Sequence, residues 1–182
     1  PISARYCSTA ARMADGSVQT NPGVGNPDVV EPAGPIDPEV GVLALHRPDG
    51  RTLGLLGNYS LHYVGIPDDF TSFSADYFGF FSTMVQRLRG ESFVAALSNG
   101  ASGDINNVDV LGRSVRRNDR YQHCERAGAI IAANAFYAWN EAEFVGQAPI
   151  GSALAEITLE PRPPATQDDL AKAREIEDRL AA

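Results

Sequence analysis

Phe93-Val94-Ala95-Ala96-Leu97-Ser98-Asn99-Gly100-Ala101-Ser102-Gly103-Asp104-Ile105-Asn106-Asn107 is the stretch that decides how this chain is read. Phe93 to Leu97 is an apolar run with no polar interruption, the pattern of a buried strand. It opens straight into glycine, asparagine and aspartate. Open α/β sheets do their chemistry at such carboxyl edges, so the geometry points to a site. The glycines permit close backbone approach, the amides offer donors to an anion, and Asp104 adds a carboxylate. A tight turn whose aspartate bonds its own backbone accounts for the same residues equally well. The loop carries no lysine and does not fit the phosphate-loop pattern Gly-x-x-x-x-Gly-Lys-Ser/Thr, and Ser102 does not sit in a Gly-x-Ser-x-Gly elbow.

A second edge lies upstream. Asn58-Tyr59-Ser60-Leu61-His62-Tyr63 ends another apolar run and sets one imidazole at a strand terminus. A neutral imidazole held there can bind a metal, but catalytic zinc needs about three protein ligands. No His-x-His or His-x-x-x-His spacing exists. From the residues alone His62 is either a ligand or a hydrogen-bonded structural histidine. Two polar edges of this kind predict a cleft.

Working outward, Val40 to His46 and Thr52 to Tyr59 are apolar runs joined by Pro48-Asp49-Gly50, which predicts a β-hairpin. His46, beside Arg47 at the end of the first run, reads as a surface residue. Ser74-Ala75-Asp76 precedes Tyr77, Phe78, Phe80, Phe81, Met84, Val85 and Leu88, a helical spacing with a serine cap and closure at Gly90. Residues 118 to 143 predict a second helix, with Trp139 and Phe144 covering its far end. Ser152 to Leu159 alternates with period two and predicts a half-exposed strand. Thr166-Gln167-Asp168-Asp169 matches a capping box and predicts a last, polar helix. Between Asp15 and Pro38 the density of Pro, Gly and Asn argues against helix and central strand alike. Residues 1–39 are therefore an irregular arm or a linker, and residues 40–182 an α/β domain.

The whole composition fits one soluble globular domain: 182 residues, 43% hydrophobic and 21% charged. A formal net charge of −8 argues against nucleic acid, and the short basic run Arg113-Ser114-Val115-Arg116-Arg117 reads as a solvated loop. No apolar run approaches the length of a spanning helix. Cys7 and Cys124 have no zinc or redox spacing, and Cys124 falls in a helical pattern as a small buried residue. A first residue that is Pro1, and a last helix without a stop signal, lead to the expectation that the native chain extends in both directions.

Taken together, Pro35-Ile36-Asp37-Pro38-Glu39-Val40-Gly41-Val42-Leu43, Asn58-Tyr59-Ser60-Leu61-His62, Ser74-Ala75-Asp76-Tyr77-Phe78-Gly79 and Asn99-Gly100-Ala101-Ser102-Gly103-Asp104-Ile105-Asn106 resemble the neutral/alkaline non-lysosomal ceramidase amino-terminal domain family, and more closely its uncharacterised bacterial members. The resemblance covers roughly residues 12 to 140. It implies an α/β fold with a mixed β-sheet and flanking helices, a partial domain of a larger metallohydrolase. It further implies zinc held by two histidines, a glutamate and a tyrosine, of which His62 matches the second histidine. The other ligands have no match in these residues. In ceramidases a catalytic serine follows the Gly-Asp loop, and here that position is Asn106, which can donate to an oxyanion but is no nucleophile.

The expectation is a ceramidase-like zinc-dependent hydrolase that cleaves an amide or ester of a small or lipid-like substrate through metal-activated water. His62 is the metal ligand, Asp104 and Asn106 are catalytic, and Asn99, Gly103 and Tyr63 meet the substrate. The resemblance implies a secreted or periplasmic location. The alternative is a non-catalytic extracellular binding or structural domain that keeps the fold without a complete metal site.

Overall fold

The computed structural model describes residues 7–8, 10–63, 73–90, 92–106, 111, 121–161 and 163–181. The basic run from Arg113 to Arg117 lies outside the described residues. The chain divides into two compact units, Pro1–Glu143 and Phe144–Ala182.

The centre of the first unit is a three-stranded mixed sheet. The predicted hairpin is its first half: β5 (Val40–His46) runs antiparallel to β6 (Thr52–Tyr59), from Val40 opposite Tyr59 to His46 opposite Thr52. Gly50 closes the turn at φ +83°, a conformation that side chains with a Cβ resist. The Gly50 amide donates to the Arg47 carbonyl, and Arg47 N–H to the Arg51 carbonyl at 2.8 Å.

From the end of β6 the chain reaches α1 (Asp76–Arg89) and then β7 (Val94–Asn99), which lies parallel to β6. Parallel neighbours need a crossover, and α1 supplies it. The predicted serine cap is not formed: Ala75 holds the cap position with no side-chain cap, and the Ser74 hydroxyl accepts the Asp76 amide at 3.0 Å from one residue further out. Tyr77, Phe81 and Val85, at helical spacing, are fully buried. The Ser82 hydroxyl donates to the Ala95 carbonyl at 2.8 Å and the Gln86 amide to the Phe93 carbonyl at 3.1 Å, fixing the helix along β7.

The second long helix, α2 (Gln122–Glu141), packs against α1 and β5. The contact with α1 is close because residue 128 is glycine. A Cβ there would stand 2.6 Å from the Tyr77 carbonyl oxygen and 2.8 Å from the Phe81 nitrogen. The core gathers Leu55, Tyr59, Phe81, Phe93, Ile131 and Trp139. Trp139 covers the far end as predicted: Phe93 stacks on it at 5.5 Å, and the Arg89 guanidinium lies 4.0 Å from its ring centre. Phe144, the first residue of the second unit, is exposed. Cys124 is buried, and burial together with the neighbouring Asp76 carboxylate pushes its thiol pKa up to about 12.

Both helices cover one face of the sheet only. On the other face the register aligns Leu43 with Leu56 and Ala96, and Leu45 with Gly54 and Val94. Leu43, Leu45, Leu56 and Val94 are 42–65% exposed. This face also carries Asn58, whose amide donates to the Ser98 hydroxyl at 2.8 Å.

Residues 1–39 are less irregular than the sequence predicts. β2 (Ala10–Met13) is the centre of a second three-stranded sheet, flanked antiparallel by β3 (Val18–Thr20) and β4 (Val29–Pro32). The turn formers sit between these short strands, and Pro32 closes an edge strand, where a missing N–H costs no ladder bond. A third pairing joins β1 (Cys7–Ser8) to β8 (Ile105–Asn106).

In the second unit, the predicted strand from Ser152 to Leu159 forms no ladder among the described residues. Its apolar side chains Leu154, Ile157 and Leu159 are exposed. Alternation describes a side-chain pattern; a strand also needs a neighbour to bond, and the described residues of this unit supply none. The predicted capping box is present at the start of α3 (Gln167–Ala181). The Thr166 hydroxyl accepts the Asp169 amide, and the Asp169 carboxylate accepts the Thr166 amide at 2.9 Å.

Candidate functional site

β6 and β7 run parallel, so their carboxyl ends lie side by side and their loops emerge at one edge. Pairing continues one residue beyond the ladder, with the Gly100 amide donating to the Tyr59 carbonyl at 3.0 Å. The approach is close: a Cβ at Gly100 would meet the Ser60 hydroxyl, which would have to shift. The loop then turns back, with Ile105 N–H on the Ser102 carbonyl at 3.1 Å. That return brings the Ile105 carbonyl to the amide of His62, at 3.1 Å. The histidine edge and the Gly-Asp loop are thus joined through main chain.

His62 is fixed from its other side as well. The Tyr77 hydroxyl, buried at the start of α1, donates to the Leu61 carbonyl at 2.7 Å. The main chain on either side of the imidazole is therefore held by α1 and by the returning loop. The His62 side chain is half-buried rather than turned into the core, and the Tyr63 ring meets it edge-on at 4.3 Å. Tyr63 is 60% exposed, and Asn99, Gly103 and Asp104 are exposed. Asn106 is part of β8, opposite Cys7. The structure brings His62 and the 103–106 turn to one edge, with Asn99 at the end of β7 beside them.

Tyr77 and Gly100 are the positions that residue-by-residue reading passed over. Tyr77 counted only as an apolar helix position, yet a buried tyrosine hydroxyl needs a partner, and this one finds it in the Leu61 carbonyl. Gly100 gave no signal separate from the other glycines of its loop.

A cavity of about 370 Å³ lies at the same edge of the sheet, where β5 begins. Asp37, Glu39, Val40, Asn134 and Tyr137 line it. None of the predicted site residues does. Nearby, burial and then the Asp37 carboxylate push the Tyr59 phenol up to about 12, so that tyrosine stays neutral. His46 is half-buried, with its ring edge-on to Trp139 at 6.3 Å.

The fold is similar to that of a neutral ceramidase. The crystal structure of neutral ceramidase from Pseudomonas aeruginosa matches at a TM-score of 0.51 and 21% identity, over 75% of this chain and 22% of that one. A ceramidase complexed with C2 matches at a TM-score of 0.49 and 20% identity, over 64% of this chain and 19% of that one. The chain spans under a quarter of the length of either neighbour. No protein-family model and no curated protein matches it. The likeness supports the α/β architecture predicted from the sequence.

Among the described residues no three His, Cys, Asp or Glu side chains come together as a group that could hold a metal. A single imidazole does not make a zinc site, so the described residues do not by themselves fit the ion. Among the same residues no helix is long and apolar enough to cross a membrane.

Proposed function

We propose that this chain is part of a ceramidase-like hydrolase that cleaves an amide or ester bond in a small or lipid-like substrate. The observation that supports the reading most is the bond from the His62 amide to the Ile105 carbonyl, which ties the histidine to the turn carrying Asp104. Agreement of the fold with a neutral ceramidase adds to it. In this reading His62 is one ligand of a zinc ion whose other ligands come from residues beyond those described. Asp104 and Asn106 act on the reacting group, and Asn99, Gly103 and Tyr63 contact the substrate. Asn106 can contribute an amide donor but no attacking oxygen.

The work of the described residues is positional. A strand terminus clamped at Leu61 and at His62 N–H limits the travel of the imidazole, and rigid placement is what separates a working site from a loose one. The exposed Tyr63 ring offers an apolar surface beside it.

The test is metal content and hydrolysis of short-chain N-acyl amides and esters by the protein as its gene encodes it, beside a His62→Ala variant. Stoichiometric zinc and turnover in the parent, both lost in a variant with unchanged circular dichroism, are the expected result. Zinc retained by the variant removes His62 from the coordination sphere. A folded protein without zinc or turnover leaves the non-catalytic domain as the reading.

A further inference from the structure

The cavity where β5 begins differs from the site edge beside it in the groups it presents. The segment leading into β5 supplies two carboxylates, Asp37 and Glu39, and α2 supplies Asn134 and Tyr137. Among the described residues no lysine, arginine or histidine lines it. Elsewhere Glu31 pairs with Arg12 at 3.1 Å and Asp49 with Arg51 at 2.8 Å, whereas neither Asp37 nor Glu39 has an ion-pair partner among the described residues. The Asp37 carboxylate is nonetheless fixed, because its Oδ1 accepts the Glu39 amide at 3.0 Å. The Asn134 side-chain nitrogen donates to the Ile130 carbonyl at 2.8 Å, which leaves the amide oxygen as a further acceptor. Tyr137 contributes an exposed ring, and Val40 and Ala138 contribute aliphatic surface.

We propose that this cavity binds a small organic cation, a protonated amine carried on a short aliphatic body. An ammonium group has donors only, and the lining offers it two carboxylates, an amide oxygen and an aromatic face. The aliphatic body then lies on Val40 and Ala138. Other classes fit less well. An anion would meet two carboxylates with no cation to balance them, and a neutral apolar molecule would strip water from both without compensation. A bare metal ion would leave most of about 370 Å³ unfilled, and two carboxylates fall short of the six or more oxygens that calcium takes. The volume itself lies in the range of sites for small organic molecules. The inference stands apart from the hydrolase reading, and a protein without zinc or turnover would leave it untouched.

Saturation-transfer NMR with n-butylammonium chloride on the protein as its gene encodes it tests the proposal. Butanol and butyrate serve as the neutral and anionic matches of the same chain length. The expected result is transfer to the butylammonium methylene protons that saturates at millimolar concentration, with none to the other two ligands. Affinity should fall about tenfold or more in an Asp37→Asn/Glu39→Gln variant, in which residue 37 keeps an oxygen for the residue 39 amide. Tyr137→Ala should weaken binding about threefold. No binding of butylammonium by the parent overturns the proposal, and so does equal binding by the double variant. Butanol bound as well as the amine makes the cavity merely apolar and overturns it too. Loss of binding in magnesium chloride but not in sodium chloride of equal ionic strength assigns the cavity to a metal ion and again overturns it. A trilysine peptide that binds more than about tenfold tighter than butylammonium makes a polypeptide the occupant, with the same consequence. Should the variants fail to fold, the comparison of butylammonium, butanol and butyrate on the unaltered protein decides.

Discussion

Residues 40–59 and residues 152–159 both carry strand-like apolar patterns, and only the first stretch forms strands. Val40 to Tyr59 holds both halves of a ladder, joined by a turn that sets the register. Ser152 to Leu159 has the alternation without a neighbour among the described residues of its own unit, and its aliphatic side chains stand in solvent. The difference teaches that period two specifies which way side chains point, while backbone pairing decides whether a strand exists.

The largest effect is expected at Trp139 in the unit that contains the hairpin, where α2 meets Phe93 and Arg89. Trp139→Ala should cost about 4 kcal/mol in urea denaturation. A loss under about 1 kcal/mol would mean that the Phe93 and Arg89 contacts are not part of a packed core. Gly128→Ala is next. The added methyl meets main-chain atoms of α1, so about 2 kcal/mol should be lost, chiefly by forcing the helices apart. Tyr77→Phe should cost about 1–2 kcal/mol by leaving the Leu61 carbonyl unpaired. Its amide hydrogen exchange should rise locally around residues 61–62, and uniform change across the sheet would count against a clamp at the strand end.

At the other end of the scale, Ile157→Ser and Leu159→Ser should each change stability by less than about 0.5 kcal/mol. A larger loss would mean that the extended segment is buried in the assembled protein, and the contrast with the hairpin would narrow. Helix α3 gives a pH-dependent version of the same comparison. Its Asp169 carboxyl is held below the ordinary aspartate range by its bonds to Thr166, the side-chain bond first. A lowered folded-state pKa supports the helix above the ordinary value and loses that support as pH falls through the lowered one. Circular dichroism should therefore show α3 helicity decreasing on acidification below the aspartate range, with Thr166→Ala removing the dependence.

Much of the fold was legible in the sequence because its signals were local. Pro48-Asp49-Gly50 named the hairpin, the recurrence from Tyr77 to Leu88 named α1, and Thr166 with Asp169 named the start of α3. The sheet of residues 10–32 was not legible, because its strands are three or four residues long and bounded by turn formers that read as disorder of pattern. At the site, the strand-end placement of His62 could be read from the apolar run before it. The bond to Ile105 could not, since it depends on how a glycine-containing loop returns across the sheet edge, and neither could the Tyr77 clamp, which joins residues 16 apart in sequence.

The parallel pairing of β6 with β7 also sets an order of assembly. The hairpin closes across a few residues, whereas β7 must wait for the crossover helix to form and dock, and long closures are slow. Pulse-labelled hydrogen exchange during refolding should protect amides of residues 41–57 before those of 95–99. The edge that unites His62 with the Gly-Asp turn is then the last part of the sheet to mature, and a chain stalled on its folding path would carry a finished hairpin without a working edge.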